Sequence, residues 1–391
     1  MKMDVWAFFI AAAVSALFTP LAIKTAPLVG AMDIPKDGRR MHDHPIPRFG
    51  GIAIFIGLLA AVLLRVPKSR QLTGVLIGAA CIVMLGIADD IKGLRPKVKL
   101  AGQLVCAAIP CFFSVRITGI SNFLQAGRNP GAMIEFPLWL QVLLTIVWIV
   151  GITNTVNLID GLDGLAAGIS AIACFSVAYT AYLTGRSETS ALALAISGAA
   201  FGFLLFNFYP AKIFMGDAGS MLLGFMLATC SLISDTPTKR TALTAAIIPA
   251  LILAVPVFDT LFAILRRALN HKPIMQADKG HIHHRIMAMG FGQRRTVMAL
   301  YCISAIAGVA GILWTNHYVL CAGILTAVAL MLMIIFLGVG EIVKGAQGFV
   351  RSTYLRPGEK LGEDEHLVED SGTYGPEEAD RDDEDETEES R

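Results

Sequence analysis

Uncharged apolar runs alternate with short polar segments along most of the chain. They fall near residues 5–23, 49–64, 71–88, 100–115, 136–159, 165–184, 189–211, 219–234, 241–265, 296–314 and 319–340, and most are 16–24 residues long. A helix needs about 20 apolar residues to cross roughly 30 Å of hydrocarbon. In lipid it satisfies its own backbone hydrogen bonds within one segment. The pattern therefore predicts an all-α polytopic integral membrane protein with about 11 transmembrane helices. The first run has no small-residue cleavage site followed by a soluble domain, so it reads as a span rather than a removed signal. Pro20, Pro249 and Pro256 lie within runs and predict kinks that packed neighbours tolerate.

Composition agrees. Hydrophobic residues make up 55% of the 391-residue chain and charged ones 16%, with a mean hydropathy of +0.63. Soluble domains carry about a quarter charged residues, which excludes an ordinary soluble enzyme and a largely disordered chain. The formal net charge of +1 conceals two unlike parts: Gly358–Arg391 sums to −13 and the remainder to +14. We expect a transmembrane domain over residues 1–345 and an acidic, disordered cytoplasmic tail over 346–391. An odd span count puts the termini on opposite sides. The loops after odd-numbered spans hold 17 Lys and Arg, against 9 for the N-terminus and the loops after even spans. The positive-inside bias then predicts the N-terminus outside and the C-terminus in the cytoplasm. The seven cysteines lie in apolar stretches without a CxxC pair and read as buried free thiols.

The same division sorts the polar chemistry. Six of the eight histidines and most loop aspartates fall on the predicted cytoplasmic loops. Asp89 and Asp90, in GIADDIKGLRPKVK, follow the third run. Adjacent carboxylates repel and stay ionised only beside a cation or strong donors, which a divalent metal or Lys92, Arg95, Lys97 and Lys99 would supply. NTVNLIDGLDG closes the fifth run. Asn154, Asn157 and Asp160 recur at three-residue spacing on one helix face. Gly161 and Gly164 would let the chain turn back so that Asp163 points to the same spot. Such an oxygen-rich cluster suits a hard cation, although Asn, Asp and Gly are also ordinary turn residues. In FNFYPAKIFMGDAGS, Asp217 is either a helix cap or a metal ligand, and local sequence leaves both open. ADKGHIHHR, in the most basic loop, brings His281, His283, His284 and Arg285 together. No Cys or fourth ligand follows at zinc spacing, and polyphosphate suits such a loop better. There is no P-loop or Rossmann glycine pattern and no basic-aromatic array for nucleic acid.

These four segments, with PRFGG at Pro47–Gly51, resemble the polyprenyl-phosphate N-acetylhexosaminyl-1-phosphate transferases. These are relatives of the phospho-N-acetylmuramoyl-pentapeptide transferases of peptidoglycan synthesis. The likeness runs from Met32 to Arg295, and NxxNxxDGxDG joined to a distal HxHH is its most specific part. It implies transfer of N-acetylglucosamine 1-phosphate from UDP-N-acetylglucosamine to a polyprenyl (undecaprenyl) phosphate, with release of UMP. That step initiates a cell-envelope glycan such as lipopolysaccharide O-antigen or teichoic acid. The likeness implies Mg²⁺, with Mn²⁺ as substitute, held by Asp217 and Asn157. It implies Asp89 and Asp90 at the acceptor phosphate, Asp160 and Asp163 in the nucleotide-sugar pocket, and His281, His283 and His284 at the donor. The catalytic set so implied is Asp89, Asp90, Asp160, Asp163 and His281. The substrate-binding set is Asn154, Asp160, Asp163, Lys97, Lys99, His281, His283, His284 and Arg285. Gly93 stands where the peptidoglycan branch has a lysine, and His-Ile-His-His replaces a contiguous His triplet; both differences favour the N-acetylhexosamine branch. The expected partners are the UDP-N-acetylhexosamine donor, the polyprenyl phosphate acceptor, membrane lipids and a second copy of the chain, but no nucleic acid. The expected location is a bacterial inner (plasma) membrane, with the active site on its cytoplasmic face. The competing readings are the muramoyl-pentapeptide reaction and a secondary transporter, which would instead place its polar residues at mid-span.

Overall fold

The computed structural model describes residues 3–34, 44–121, 133–233, 254–269 and 281–354. Each of the eleven apolar runs carries a helix where it is described. These are α1 (Val5–Val29), α2 (Gly50–Arg65), α3 (Arg70–Lys92), α4 (Pro96–Phe112), α5 (Leu138–Ile159), α6 (Leu165–Leu183), α7 (Ser187–Asn207) and α8 (Gly216–Leu232). After them come α9 (Ala254–Leu269), the short α10 (Ile282–Ala288), α11 (Gln293–Thr315) and α12 (Val319–Tyr354). Among the described residues, seven helices are long and apolar enough to cross a membrane: α1, α3, α5, α6, α7, α11 and the Val319–Leu337 part of α12. The protein is thus a mostly helical, multi-pass membrane protein. Its sheet content is two small antiparallel pairs, β1 (Met32–Asp33) with β2 (Ile46–Pro47) and β3 (Gly119–Ser121) with β4 (Met133–Glu135). The chain divides into two compact units, Met1–Lys344 and Gly345–Arg391, and only the end of α12 is described in the second. Residues 346–354, expected to begin the disordered tail, continue the last helix, and residues 355–391 lie outside the described residues.

Helix boundaries differ from the hydropathy runs in one way that matters. Helices extend past the last apolar residue into the motifs, so Asp89 and Asp90 occupy the final turn of α3. Asn154 and Asn157 lie within α5, and Lys97 and Lys99 lie in the first turn of α4, which begins at Pro96. Proline suits that first position because its missing N–H would have had no helical partner.

Helix α8 is the structural centre. It packs against α3 and α5, with further contacts to α2, α6 and α7. Of its 17 residues, nearly all are buried, from Gly216 and Ala218 to Ser231. Its composition of Gly, Ala, Ser, Met and Leu is small and apolar on every side, as befits a helix surrounded by others. A Cβ on Gly51 of α2 would lie 2.3 Å from the backbone N of Gly219, and one on Gly86 of α3 would lie 2.3 Å from the Cα of Ala218. The start of α8 is therefore clasped between two glycines. By contrast, α1 and α12 expose most of their length, with Trp6, Phe9, Leu17, Leu320 and Ile334 open. These are the surfaces that hydrocarbon would cover. Cys106, Cys111, Cys174 and Cys230 are buried as expected, whereas Cys302 and Cys321 are exposed on the outer helices α11 and α12. No disulfide forms among the seven.

This packing makes a direct prediction. Gly86→Val should destabilise the protein by about 1–3 kcal/mol or more, the usual cost of overpacking a close contact. Gly151→Ala, where nothing lies within 4 Å of an added Cβ, should leave thermal unfolding in detergent unchanged or slightly raised.

Candidate functional site

Three chain segments meet on the carboxylate of Asp217, the second residue of α8. From the segment before α2, Arg48 Nη2 lies 2.8 Å from Asp217 Oδ2, while its Nε lies 3.1 Å from Asp90 Oδ1. From α4, Lys99 Nζ lies 2.8 Å from Asp217 Oδ1 and 3.0 Å from Asp89 Oδ2, and it donates to Asn157 Oδ1 at 3.2 Å. From α5, Asn157 Nδ2 donates to Asp217 Oδ1 at 2.6 Å and to Ser220 Oγ at 2.8 Å. The three protons of the Lys99 ammonium match its three oxygen partners.

Backbone pairing aims Arg48. Its N–H donates to Ala31 O at 2.9 Å, and its residue forms a parallel bridge with Phe214. On either side, Phe214 N donates to Pro47 O and Gly50 N donates to Phe214 O, at 2.8 and 3.0 Å. The PRFGG segment is thus stitched to the strand-like approach to α8. Burial alone would lower the Arg48 pKa, but Asp217, Asp90, Asp160 and Asp33 together hold it above its ordinary value. This residue escaped the sequence reading of chemistry. Its signal was a lone cation between Pro47 and Phe49, immediately before an apolar helix.

The paired aspartates do different work. Asp90 has a fully buried side chain and accepts from the N–H of Asp217 at 2.7 Å and of Ala218 at 3.0 Å. It therefore caps the N-terminus of α8, where unpaired N–H groups and the helix dipole favour an anion. Both oxygens of Asp90 are thus engaged in holding α8 and Arg48. Asp89 accepts from Leu94 N at 2.7 Å and pairs with Lys99. Lys97 is exposed and stays outside the network.

Asn154 lies one helical turn before Asn157 and pairs with another helix. Its amide exchanges hydrogen bonds with Gln103 of α4, at 2.7 and 3.3 Å, and donates to Val150 O at 2.9 Å. Gln103 is itself buried and also reaches Met221 Sδ. Two amides that satisfy each other inside an apolar bundle tie α4 to α5, since an unpaired one would carry a desolvation cost. Asp160 ends α5, half-buried. Burial lifts its pKa to about 7, opposed by Arg48 and reinforced by Asp217, Asp90 and Asp163. Asp163 Oδ2 accepts from Ala211 N at 2.9 Å, fixing the DGLDG turn to the α7–α8 connection. Gly164, at φ +77°, completes that turn and donates to Asn207 Oδ1 at 3.1 Å.

The histidine segment docks on this turn. A Cβ on Gly161 would lie 2.8 Å from His283 Nε2, so a larger residue there would push the imidazole aside. His283 is buried and its pKa falls to about 3, chiefly through burial and then through His284 and His281. His281 and His283 stack in parallel with centroids 5.9 Å apart, and the half-buried His284 lies 4.3 Å from His283. Arg285 is fully buried beneath them: its Nη1 donates to Leu337 O at 2.7 Å and its Cζ lies 5.3 Å from the Phe262 ring. It braces α10 against α9 and α12.

The donor set is consistent with a hard divalent cation. Asp217 and Asn157 are neighbours, with Ser220 Oγ beside them and the cations of Arg48 and Lys99 against the carboxylate. Among the described residues no group of three or more His, Cys, Asp or Glu forms a ready-made metal cage. Mg²⁺ commonly uses one or two carboxylates and completes its shell with water and substrate phosphate. Asn157 turns its NH₂ toward Asp217; rotating the amide by half a turn would present its oxygen, an orientation assigned from hydrogen bonding.

The arrangement matches known proteins over most of the chain. The family model described as "Glycosyl transferase family 4" matches residues 72–235. The Bacillus subtilis (strain 168) protein named "Probable undecaprenyl-phosphate N-acetylglucosaminyl 1-phosphate transferase" is 39% identical over 351 residues, covering 89% of this chain and 93% of that one. The decaprenyl-phosphate N-acetylglucosaminephosphotransferase of Mycobacterium tuberculosis (strain ATCC 25618 / H37Rv) is 31% identical over 299 residues, or 70% and 73% of the two chains. The phospho-N-acetylmuramoyl-pentapeptide-transferase of Shouchella clausii (strain KSM-K16) is 32% identical over 323 residues, or 78% and 94%. With likeness along nearly the whole length of such relatives, the chain belongs to glycosyl transferase family 4, the polyprenyl-phosphate sugar-1-phosphate transferases that its motifs resemble.

Proposed function

We propose that this enzyme transfers N-acetylglucosamine 1-phosphate from UDP-N-acetylglucosamine to undecaprenyl phosphate, releasing UMP and starting a cell-envelope glycan. The observation that carries this reading is the convergence of Arg48, Lys99, Asn157 and Asp90 on Asp217, across as many as 169 residues of sequence. The relative with 39% identity, named for this donor sugar and this lipid, supports the choice of substrates.

In the reaction an oxygen of the lipid phosphate attacks the sugar-bearing phosphorus of the donor. The new P–O bond forms as the bond to the UMP oxygen breaks. The acceptor is already largely a dianion at neutral pH, since a phosphate monoester's second pKa is about 6, so a carboxylate base is not required. The obstacle is repulsion between two anions. Mg²⁺, or Mn²⁺ in its place, held by Asp217 and Asn157, would supply positive charge to the diphosphate and the departing UMP. Arg48 and Lys99 hold the Asp217 carboxylate in place. Asp89 orients Lys99, and Asp90 fixes both Arg48 and the start of α8. Asp160 and Asp163 frame the nucleotide-sugar side, next to the histidine segment.

The same reading gives the chain eleven spans, an outer N-terminus, a site on the cytoplasmic face of a bacterial plasma membrane, and a division into the domain of residues 1–345 and the acidic tail of 346–391. The excess of Lys and Arg on one set of loops supports that orientation. A reporter tag fused after Arg391 should be reached by an impermeant reagent only in opened cells; labelling of intact cells would reverse the topology.

Purified protein given undecaprenyl phosphate, Mg²⁺ and a panel of UDP-sugars should release UMP with UDP-N-acetylglucosamine. Absence of UMP with every UDP-N-acetylhexosamine would overturn the reading. Asp217→Asn should reduce kcat by about 10²–10³-fold, the usual loss when a preorganised charge is removed. Arg48→Lys keeps the charge but cannot span both Asp90 and Asp217, and should cost about 10-fold or more, as expected for one charged hydrogen bond.

A further inference from the structure

The histidine segment has a buried anchor that the site as described does not use. Asp259 lies in α9 and is almost completely buried. Its Oδ2 lies 2.9 Å from His281 Nδ1, and its Oδ1 accepts from Ile282 N at 2.8 Å. His281 is the N-cap of α10 but makes no side-chain capping bond of its own. One carboxylate thus supplies the missing cap and grips the imidazole beside it. A carboxylate that already accepts from Ile282 N is matched by an imidazole whose Nδ1 donates to it. His281 then stacks in parallel on His283, whose ring closes against Gly161 of the DGLDG turn.

We infer that Asp259 is a positioning residue for the transfer reaction: it fixes His281 with Nδ1 protonated, so that Nε2 is the nitrogen through which His281 works. The inference rests on the transferase reading above. Asp259 itself acts through His281, in the way that outer carboxylates orient histidines in other sites.

Asp259→Asn separates this role from simple framework support. Asparagine is as good a helix cap as aspartate, so its oxygen can keep the bond from Ile282. Its NH₂ would then face Nδ1 and impose the opposite tautomer. We expect an unchanged unfolding temperature, a kcat lowered by about 10–100-fold, and a KM for UDP-N-acetylglucosamine that moves little. In a His281→Gln background the same change should cost nothing further, because its target is gone. Unaltered kcat in Asp259→Asn, or an equal loss in both backgrounds, would overturn the proposal. A ¹⁵N-histidine spectrum of the unmodified chain needs no folded Asp259 variant. The signal lost in His281→Gln should show a protonated Nδ1, and an Nε2–H tautomer would refute the pairing. Should the unmodified chain release no UMP, the transferase reading fails, while the spectrum still reports on Asp259 and His281.

Discussion

Charge compensation at the end of an apolar bundle is the constraint on which the rest of this structure depends. Asp89, Asp90, Asp160, Asp163 and Asp217 are drawn together where helices end, and Arg48 and Lys99 form ion pairs with three of them. Removing one member of a buried pair leaves an uncompensated charge, which is far costlier than the pair itself is favourable. The surplus negative charge would also repel both anionic substrates. The proposed divalent cation would ease both difficulties, because it would add positive charge where the carboxylates are and where the phosphates must come. Asp160 responds to this surplus most directly: burial and three neighbouring carboxylates raise its pKa to about 7, against the pull of Arg48. A cation bound nearby would draw it back down.

The fold serves that cluster by placing one helix end with little freedom. Helix α8 has only 17 residues, yet it touches five others. Gly51 and Gly86 permit backbone contact on two sides, and Asp90 holds the first N–H groups. Gly216, at φ +71°, leaves room for the Asp90 carboxylate, which a Cβ there would meet at 2.5 Å. Asp217 is thereby fixed by packing, by capping and by ion pairing together. Such redundancy is what a preorganised electrostatic site requires.

Hydropathy made the helices legible because lipid leaves a chain few choices. It also grouped the polar motifs, since charged residues collect where spans end. It could not separate the two members of Asp89-Asp90, which adjacent positions on a helix turn in different directions. One faces Lys99 and the loop; the other faces the start of α8. Nor could it distinguish Asn154 from Asn157, because the difference lies in Gln103, which belongs to another helix. Arg48 was hidden for the opposite reason: its motif was visible, but its partners lie 42 and 169 residues away. Arg285 had the composition of a ligand contact, yet its burial against Phe262 and Leu337 is a tertiary fact.

The same distinction explains why the two glycines of DGLDG are not equivalent. Gly164 is required by its backbone, since φ +77° strains any residue with a Cβ. Gly161 carries no such torsion and is required by a neighbour, the imidazole of His283. The turn that ends α5 and the helix that begins after His281 are thus parts of one contact surface, though more than a hundred residues separate them. A buried, neutral His283 fits that surface as a spacer between Gly161 and His281. His281 completes the surface, its ring held from behind by Asp259. The aspartates near α8 and the histidines of α10 are therefore not two sites joined by a substrate alone. They are coupled through the DGLDG turn, by one glycine too small to obstruct an imidazole.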